Sequence, residues 1–350
     1  MASVREDVLR GFQAAQRMHQ RVGGREKYLR SGAGIDVYQI AADLDIPVMF
    51  QDLDGLLGAY FADPVPGILL TRKRTTAVQR FTCAHELGHF YLKHEESLDP
   101  ESQIGFALSG MQVANGQELQ ADAFAFSFLM PRWLLTQNLQ ALMESGLRID
   151  APSDLHKALL VYQLSLRVGC SYSATTTTLH HYRLLPTVSA NALRNIQPRA
   201  IKQHLVSGFK VPDWHRDVWL ITATDNGAEI DASPDDLFVV RIREPSTAGY
   251  RTKLDELEQN GFEVLREGYT TALDPADPAA AVVGSFPTHE TVTLHSAPGH
   301  APLKMVHARP WEPPAKAHLA LHVDVDIKIP PQGLSQEERR SLLSAMVSND

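Results

Sequence analysis

The sequence predicts an α+β fold whose pattern changes along its 350 residues. Residues 1–132 mix helical spacing of apolar residues with short strand-like runs, whereas residues 133–190 are helical throughout. Residues 213–328 consist of short alternating runs separated by turn-forming residues. We therefore predict a mixed N-terminal domain, a helical segment and an all-β domain. Residues 191–212 are predicted to be a linker, and residues 329–350 a C-terminal tail.

The composition is that of an ordinary globular protein rather than a membrane or nucleic-acid-coating protein. Apolar residues make up 44% of the chain, charged residues 21%, and the formal net charge is -8. No apolar run approaches the roughly 18 to 20 residues that a membrane span needs, and the first residues lack an apolar signal core. The two cysteines, Cys83 and Cys170, do not indicate a disulfide framework. We expect a cytoplasmic protein without a membrane segment, and the oligomeric state stays open.

The N-terminal domain combines short strand patterns with two longer helices. One predicted helix covers TTAVQRFTCAHELGHFYLKHEE, where Thr75 or Thr76 is a candidate cap. The other runs through QELQADAFAFSFLM and ends at Pro131. The strand patterns that precede these helices are IPVMF, LLGAYF and GILLT.

The pentapeptide HELGH at 85–89 is the most informative motif in the chain. Positions i and i+4 of a helix lie on one face, so His85 and His89 can bind one tetrahedral metal ion. Glu86 lies beside His85, where it can reach a water molecule and act as a general base. Gly88 leaves room for a neighbouring backbone, and the GILLT strand upstream could pair with an extended substrate at a sheet edge. The same five-residue pattern also arises by chance, so a further ligand is needed to interpret it.

A second acidic pattern supplies that ligand. Glu118 follows in the next predicted helix and can complete a set of two histidines and one glutamate, with the fourth position open. Asp122 lies one turn later on the same face and can accept the remaining N–H of one ligand imidazole. The two helices together predict a zincin-like metallopeptidase domain. Zn²⁺ is the default ion, although such a ligand set accepts other divalent ions.

Other histidines and Cys83 are interpreted as structural. On a continuous helix His94 would point away from the face of His85 and His89, so we expect it at the helix C-terminus. Cys83 is expected to be a small buried side chain rather than a ligand. The remaining histidines with notable positions, expected on the surface, are His180, His181, His318 and His322.

The run RFTCAHELGHFYLKH, followed by ELQADAFAFSFLMP, resembles the ImmA/IrrE family of bacterial metallopeptidases. Family members carry a HELGH helix and then a helix of the form ExxAN-x-FA-xx-LLMP. In this chain Asp122 takes the Asn position and Phe128 the first Leu position, and neither change removes a ligand. The resemblance covers about residues 30–132.

The resemblance implies a ligand set and a class of substrate. By it, His85, His89 and Glu118 bind zinc and Glu86 is the base. Family members typically cleave a helix-turn-helix repressor of the XRE type, which relieves repression of mobile-element or stress-response genes. The expected partner is therefore a protein substrate, a co-encoded XRE-type repressor, and the expected process is transcription regulation.

The helical segment has a helix-turn-helix-like outline. LHKALLVYQLSLRVG is followed by a break at Gly169-Cys170, then by SYSATTTTLHHYRLL and Pro186. The segment is similar to the helical extension in the radiation-response branch of the family. DNA binding needs several phosphate-contacting cations, and the candidate recognition helix offers only Arg183. The pattern favours a repressor-docking or structural role over direct DNA binding.

The C-terminal part resembles chagasin-type cysteine-peptidase inhibitors, which are immunoglobulin-like sandwiches. PSTAGYR at 245–251 and RPWE at 309–312 are similar to two of the loops at one end of that sandwich. The first loop lacks its leading Asn and carries Thr252 in place of Trp, and VGSFPTHE only loosely matches the glycine-rich loop. The candidate binding residues are Thr247, Gly249, Tyr250, Arg309, Pro310, Trp311 and Glu312.

These departures favour a binding or sensing module over an inhibitor, and Tyr250 and Trp311 could instead pack the edge of the sandwich. In the tail, Ser335 and Glu338 form a capping box that predicts a short helix.

Three functions remain open from the sequence. The first is a zinc endopeptidase that cleaves a repressor, the second a zinc-bound regulatory adaptor, and the third a DNA-binding regulator. An intact Glu86 favours the first over the second, because a site that only binds has no need of a base. Scarce cations in the candidate recognition helix count against the third.

Overall fold

The computed structural model shows the chain folded into two compact units. The first contains the described residues within Met1–Arg25 and Ile35–Pro131, and the second those within Glu26–Gly34 and Arg132–Ile329. Helices and several sheets occur, which confirms the α+β class. The described residues are 4–31, 33–62, 66–95, 98–100, 116–206, 208–211, 213–270, 287–313 and 316–329.

The first unit contains helices packed with a four-stranded sheet. Its strands follow the order β1-β3-β2-β4, with β1 parallel to β3 and the other pairs antiparallel. Helix α2 (Gly24–Ser31) begins in this unit and continues into the second. The other helices are α1 (Val4–Arg21), α3 (Val37–Asp43), α4 (Thr76–Leu92) and α5 (Gly116–Leu129). The strands are β1 (Val48–Gln51), β2 (Leu56–Phe61), β3 (Gly67–Thr71) and β4 (Leu98–Pro100).

The interior position of β3 corrects one prediction. The GILLT strand was expected to offer an edge to an extended substrate. Both of its edges are used within the sheet, because Leu69 pairs with Met49 of β1 on one side and Ala59 of β2 on the other. A strand with two hydrogen-bonded neighbours cannot add a third.

Helix α1 packs closely against α5 through a stripe of small and apolar residues. Gly11, Ala14, Ala15 and Met18 are buried at the i, i+3, i+4 and i+7 spacing of one helix face. A Cβ atom at Gly11 would lie 2.2 Å from the carbonyl oxygen of Gln120, so only glycine permits this approach. The α1–α5 contact therefore fixes the position of the first turns of α5.

Five helices follow Pro131 in the second unit. Helix α7 (Asp154–Val168) is followed by the C-cap Gly169, whose φ of 64° is left-handed. Helix α8 (Tyr172–His181) begins after Ser171, whose side chain accepts the backbone N–H of Ala174. Residues 191–212, predicted to be a linker, contain the second half of the helix Thr187–Arg194 and the whole of the helix Pro198–Val206. Proline at the first position of the second helix is compatible with a helix start, so it does not mark a loop there. The five helices are α6 (Arg132–Glu144), α7 (Asp154–Val168), α8 (Tyr172–His181), α9 (Thr187–Arg194) and α10 (Pro198–Val206).

Two four-stranded sheets follow, in the orders β5-β7-β10-β9 and β6-β12-β11-β8. Side chains from both sheets form one buried cluster that includes Trp219, Phe238, Leu303 and Val323. The strands are β5 (Val218–Thr222), β6 (Glu229–Ala232), β7 (Leu237–Arg243), β8 (Arg251–Lys253), β9 (Glu263–Thr270), β10 (Thr288–Leu294), β11 (Gly299–Ala308) and β12 (His318–Ile327), with α11 (Asp255–Gln259) between β8 and β9.

Most of these strands coincide with predicted runs, but the short β6 and β8 escaped prediction. The tail helix predicted around Ser335 lies outside the described residues, as does the first half of VGSFPTHE, residues 283–286. No helix in the described part of the chain is long and apolar enough to cross a bilayer.

Candidate metal centre

Helices α4 and α5 bring three potential ligands together. His85 and His89 lie one turn apart on α4, with their Nε2 atoms 3.1 Å from each other. The Glu118 carboxylate of α5 reaches both, with Oε2 at 3.2 Å from His85 Nε2 and Oε1 at 3.7 Å from His89 Nε2. In the described residues these three side chains form the one cluster that could hold a metal ion. All three are buried.

The spacing of the three ligands fits a metal ion. A tetrahedral Zn²⁺ with ligand bonds of about 2.0–2.1 Å separates its ligand atoms by about 3.3 Å. The observed separations of 3.1, 3.2 and 3.7 Å bracket that value. Glu118 Oε1 is buried and makes no hydrogen bond, although a buried carboxylate oxygen normally has a partner. The donor set and this oxygen are what a site for a divalent cation requires.

The close approach of the two helices depends on Gly88. A Cβ atom at this position would lie 3.2 Å from Ala121 Cα and 3.1 Å from the ring of Phe124. The expectation that Gly88 admits a neighbouring backbone is therefore met, and the neighbour is α5.

Asp122 supports His85 from the side opposite to Glu118. Its Oδ1 lies 2.9 Å from His85 Nδ1, and the Asp122 side chain is fully buried. A carboxylate accepts only, so Nδ1 of His85 carries the proton and Nε2 presents its lone pair to the centre.

Glu86 lies between α4 and β2. It is 1% exposed, and a Cβ atom at Gly58 of β2 would lie 3.0 Å from its Oε1. The same atom would lie 2.6 Å from Thr82 Cγ2, so a side chain at position 58 would displace Thr82 or the Glu86 carboxylate. The absence of a side chain at Gly58 therefore leaves room on β2 for the Glu86 carboxylate.

The carboxyl of Glu118 is held in its charged form. Burial alone would raise its pKa, but the interactions with the adjacent imidazoles of His85 and His89 outweigh burial and hold the pKa well below its ordinary value. A charged carboxylate is the form that binds a cation.

His94 lies next to the centre, contrary to the prediction that it points away. Helix α4 ends at Leu92, and the left-handed φ of 57° at its C-cap, Lys93, turns the chain back. His94 Nδ1 then lies 3.0 Å from His89 Nδ1, and its Nε2 lies 3.2 Å from Gln120 Oε1. Burial, followed by the influence of His89, lowers the pKa of His94 to about 4, so the ring is neutral near pH 7. The helical angle that served for the prediction does not apply beyond the end of the helix.

The other predicted structural residues lie away from the cluster. Cys83 is completely buried, and burial raises the pKa of its thiol far above the ordinary value. His181 and His318 are exposed, and His180 and His322 are partly exposed.

The two predicted loops of the β domain pack on each other. Gly249 has a φ of 80°, and a Cβ atom there would lie 2.2 Å from Trp311 Cη2. The guanidinium of Arg309 lies 4.4 Å from the centre of the Tyr250 ring and donates to the Ala248 carbonyl oxygen at 3.0 Å. Trp311 is nonetheless 69% exposed.

The remaining loop residues complete this arrangement. Arg309 also pairs with Glu312 at 3.2 Å. The turn that contains Pro310 is closed by a 3.0 Å bond from the Glu312 N–H to the Arg309 carbonyl oxygen. Thr247 lies in a short 3₁₀ turn, Ser246–Ala248.

Comparison with known families gives this geometry a context. Residues 41–174 match the model of the Peptidase_M78 family, described as the IrrE N-terminal-like domain. This segment is therefore similar to the IrrE N-terminal-like domain. The matched segment contains His85, His89 and Glu118, and the family whose model it matches is one of metallopeptidases, which act on protein substrates. The resemblance stated from the motifs is thereby confirmed.

One curated relative supports the same assignment. The chain is 33% identical over 103 residues to the phage-like element PBSX protein XkdA of Bacillus subtilis (strain 168). The match covers 29% of this chain and 46% of that relative, so the chain spans about half of its length.

Two solved structures are similar to part of the chain. The solution structure of Amebosin matches with 19% identity and a TM-score of 0.25, over 32% of this chain and 98% of that one. The crystal structure of the cysteine protease inhibitor EhICP2 from Entamoeba histolytica matches with 20% identity and a TM-score of 0.25, over 33% of this chain and all of that one, 100%. At these TM-scores the likeness has no bearing on activity.

Proposed function

We propose that the protein is a zinc-dependent endopeptidase of the gluzincin type that cleaves a helix-turn-helix repressor of the XRE class. The observation that carries the proposal is the convergence of His85, His89 and Glu118, with ligand atoms 3.1–3.7 Å apart. These three residues would hold the ion, and Asp122 would fix the tautomer of His85. Cleavage would relieve repression in a stress response or a mobile element.

The residues of the centre divide the work of peptide hydrolysis. A bound zinc ion would supply the Lewis acidity that polarises the scissile carbonyl and activates water. Glu86 would take a proton from the attacking water and deliver it to the leaving amine, so that one carboxylate serves first as base and then as acid. Because Glu86 is buried against β2, the proton would be exchanged in a space largely closed to solvent.

The choice of substrate rests on the family resemblance and the curated relative. XkdA is named as a protein of a phage-like element, which supports a regulatory setting in mobile DNA. A repressor encoded beside this gene is the proposed partner, and the cytoplasm is where such a repressor would be met.

We further propose that the parts outside residues 1–132 select the substrate. Residues 133–190 would form a helix-turn-helix-like docking element, and residues 213–328 an immunoglobulin-like, chagasin-like binding module. Its exposed Trp311, supported by Gly249 and flanked by Arg309 and Tyr250, is the proposed contact point.

The decisive experiment separates metal binding from chemistry. Glu86→Gln should retain zinc, measured by metal analysis, and should abolish cleavage of the co-encoded XRE-type repressor, measured on gels. His85→Ala should lose both. The conservative exposed change Glu6→Gln on α1 serves as the matched control and should cleave normally.

The adaptor hypothesis predicts a different result. If Glu86→Gln relieved repression in cells as fully as the unaltered protein, binding alone would suffice and the peptidase proposal would be wrong. For the β domain, inhibition of papain-like peptidases at nanomolar concentration would replace the proposed binding role with an inhibitory one.

A further inference from the structure

A chain of hydrogen bonds leads from His89 to the N-terminal helix. Nδ1 of His89 lies 3.0 Å from Nδ1 of His94, and Nε2 of His94 lies 3.2 Å from Oε1 of Gln120. Nε2 of Gln120 in turn donates to Oδ1 of Asp7 over 2.6 Å. The four side chains come from α4, the residue that follows its cap, α5 and α1.

Hydrogen-bond chemistry gives this chain one direction. The Asp7 carboxylate only accepts, so the amide nitrogen of Gln120 faces Asp7 and its oxygen faces His94. Because Oε1 of Gln120 accepts, Nε2 of His94 must carry the proton of the imidazole ring. Nδ1 of His94 is then the acceptor. His89 must then donate from its Nδ1.

The consequence for His89 concerns its tautomer. With the proton on Nδ1, its Nε2 presents a lone pair towards His85 and Glu118, as a metal ligand must. His85 reaches the same state by donating directly to Asp122. One ligand histidine is thus oriented by a carboxylate in contact, and the other by a carboxylate two side chains away.

We propose that Asp7, Gln120 and His94 are positioning residues that hold His89 in the tautomer needed for metal binding, so that the affinity of the centre depends on helix α1. The inference rests on the proposed metal centre and adds to it one residue each from α1 and α5 and one from the turn that follows α4. Asp7 comes before the segment that matches the family model, residues 41–174.

The packing of α1 on α5 is shaped to allow this chain. Asp7 is 7% exposed, and a Cβ atom at Gly116, the first residue of α5, would lie 3.1 Å from its Oδ2. At Gly11 a Cβ atom would lie 2.2 Å from the Gln120 carbonyl oxygen. Two glycines therefore bring α1 close to both the side chain and the backbone of Gln120.

The first test measures zinc affinity of the full chain after removal of metal, in competition with a chromogenic chelator. Gln120→Met keeps the length of the side chain but neither donates nor accepts as an amide. We expect it to weaken zinc binding by about 10-fold or more, within the roughly 10–100-fold range for loss of an outer hydrogen bond to a ligand. Gln16→Met, an exposed glutamine on α1, is the matched control and should bind as the unaltered protein does.

The second test reads the tautomer directly in the metal-free protein. The ¹⁵N shifts of the His89 ring should show a proton on Nδ1, and Gln120→Met should convert this to a mixture. His94→Phe should have the same effect, whereas His94→Asn should restore the Nδ1–H form because its amide oxygen can accept at the position of Nδ1. A change that only loosened the fold would not be reversed by asparagine.

The outcomes distinguish this inference from the function on which it rests. If the unaltered protein failed to bind zinc, the metal centre itself would be wrong, and the dependence of its affinity on α1 would fall with it. If it bound zinc and Gln120→Met bound equally well with an unchanged His89 tautomer, the positioning role alone would be overturned. Circular dichroism and the midpoint of urea unfolding confirm that each variant is folded.

Discussion

Nδ1 of His85 donates to Oδ1 of Asp122 over 2.9 Å in a completely buried contact between α4 and α5. A buried carboxylate in this position both orients the imidazole and makes its other nitrogen a better electron donor. The contact also satisfies a polar group that would otherwise be costly to bury.

Changing Asp122 should therefore alter metal affinity in two steps. Asp122→Asn can still accept from His85 Nδ1 but lacks the charge, so we expect a modest loss of zinc affinity. Asp122→Leu removes the acceptor, and we expect a loss of about 10–100-fold. The measurement is zinc competition on folded protein, and equal affinity in the two variants would contradict the proposed role.

Gly11→Ala should destabilise the first unit although alanine favours helices. The gain in helix propensity is about 1 kcal/mol, but the new Cβ would lie 2.2 Å from a backbone oxygen of α5. Backbone cannot move aside cheaply, so we expect the cost of the steric clash to exceed the gain in helix propensity. The free energy of unfolding should then fall by about 1–3 kcal/mol. Urea unfolding measures it. Gly268→Ala, with nothing within 4 Å of the new atom, is the control and should be nearly neutral.

His19 should make the protein sensitive to mild acid. Burial lowers its pKa from the ordinary 6.5 to about 4, although its bond to the Phe128 carbonyl oxygen opposes the shift. Between these values the unfolded chain binds more protons than the folded one. The contribution of neutral His19 to the free energy of unfolding is therefore fully present above pH 6.5. It is lost as the pH falls towards 4, which lowers the free energy of unfolding by on the order of 3 kcal/mol.

The measurement for His19 is urea unfolding across this pH range without metal. His19→Gln can still donate to Phe128 but cannot titrate, so its pH dependence should be shallower. Because His94 is shifted in the same direction, the informative quantity is the difference in slope between the two proteins. Identical slopes would show that His19 titrates normally in the fold.

Gln163 should be essential to the edge of one sheet in the second unit. Its fully buried side chain donates to the Val218 carbonyl oxygen at 2.9 Å and accepts the Leu220 N–H at 2.8 Å, as a neighbouring strand would. Gln163→Met leaves both backbone groups buried without these partners, at about 1–3 kcal/mol each. Urea unfolding should show this loss, whereas Gln140→Met, on the exposed face of α6, should change stability by less than about 0.5 kcal/mol.

The sequence could predict what depends on local spacing. The i, i+4 relation of His85 and His89, and the one-turn relation of Glu118 and Asp122, follow from helix geometry alone, and the structure brings all four together. Strand patterns likewise located most of the strands, because alternation is a local property.

What escaped prediction depends on long-range packing or on the exact end of an element. The place of β3 inside its sheet is set by which strands pair, and no local pattern carries that information. His94 turns back because Lys93 adopts a left-handed conformation. A glycine at the end of a helix would predict this conformation, whereas a lysine does not. Asp7 and Gln120 meet only because α1 docks on α5. The small and apolar residues on one face of α1, which include Gly11, were the one feature of the sequence that indicated this docking.

The two units alternate along the sequence, which limits where the chain can be truncated to give a separate first unit. Residues 26–34 belong to the second unit although the chain on either side of them belongs to the first. Their partners lie beyond residue 131, since Gln137 donates to the Leu29 carbonyl oxygen and Gly34 approaches the Val168 carbonyl so closely that a Cβ atom would lie 2.8 Å away. A truncated protein that stops at Pro131 would carry all three ligands, but residues 26–34 in its middle would have lost the contacts that they make beyond residue 131. An isolated catalytic fragment will therefore need a redesigned connection between Arg25 and Ile35, not merely a stop codon.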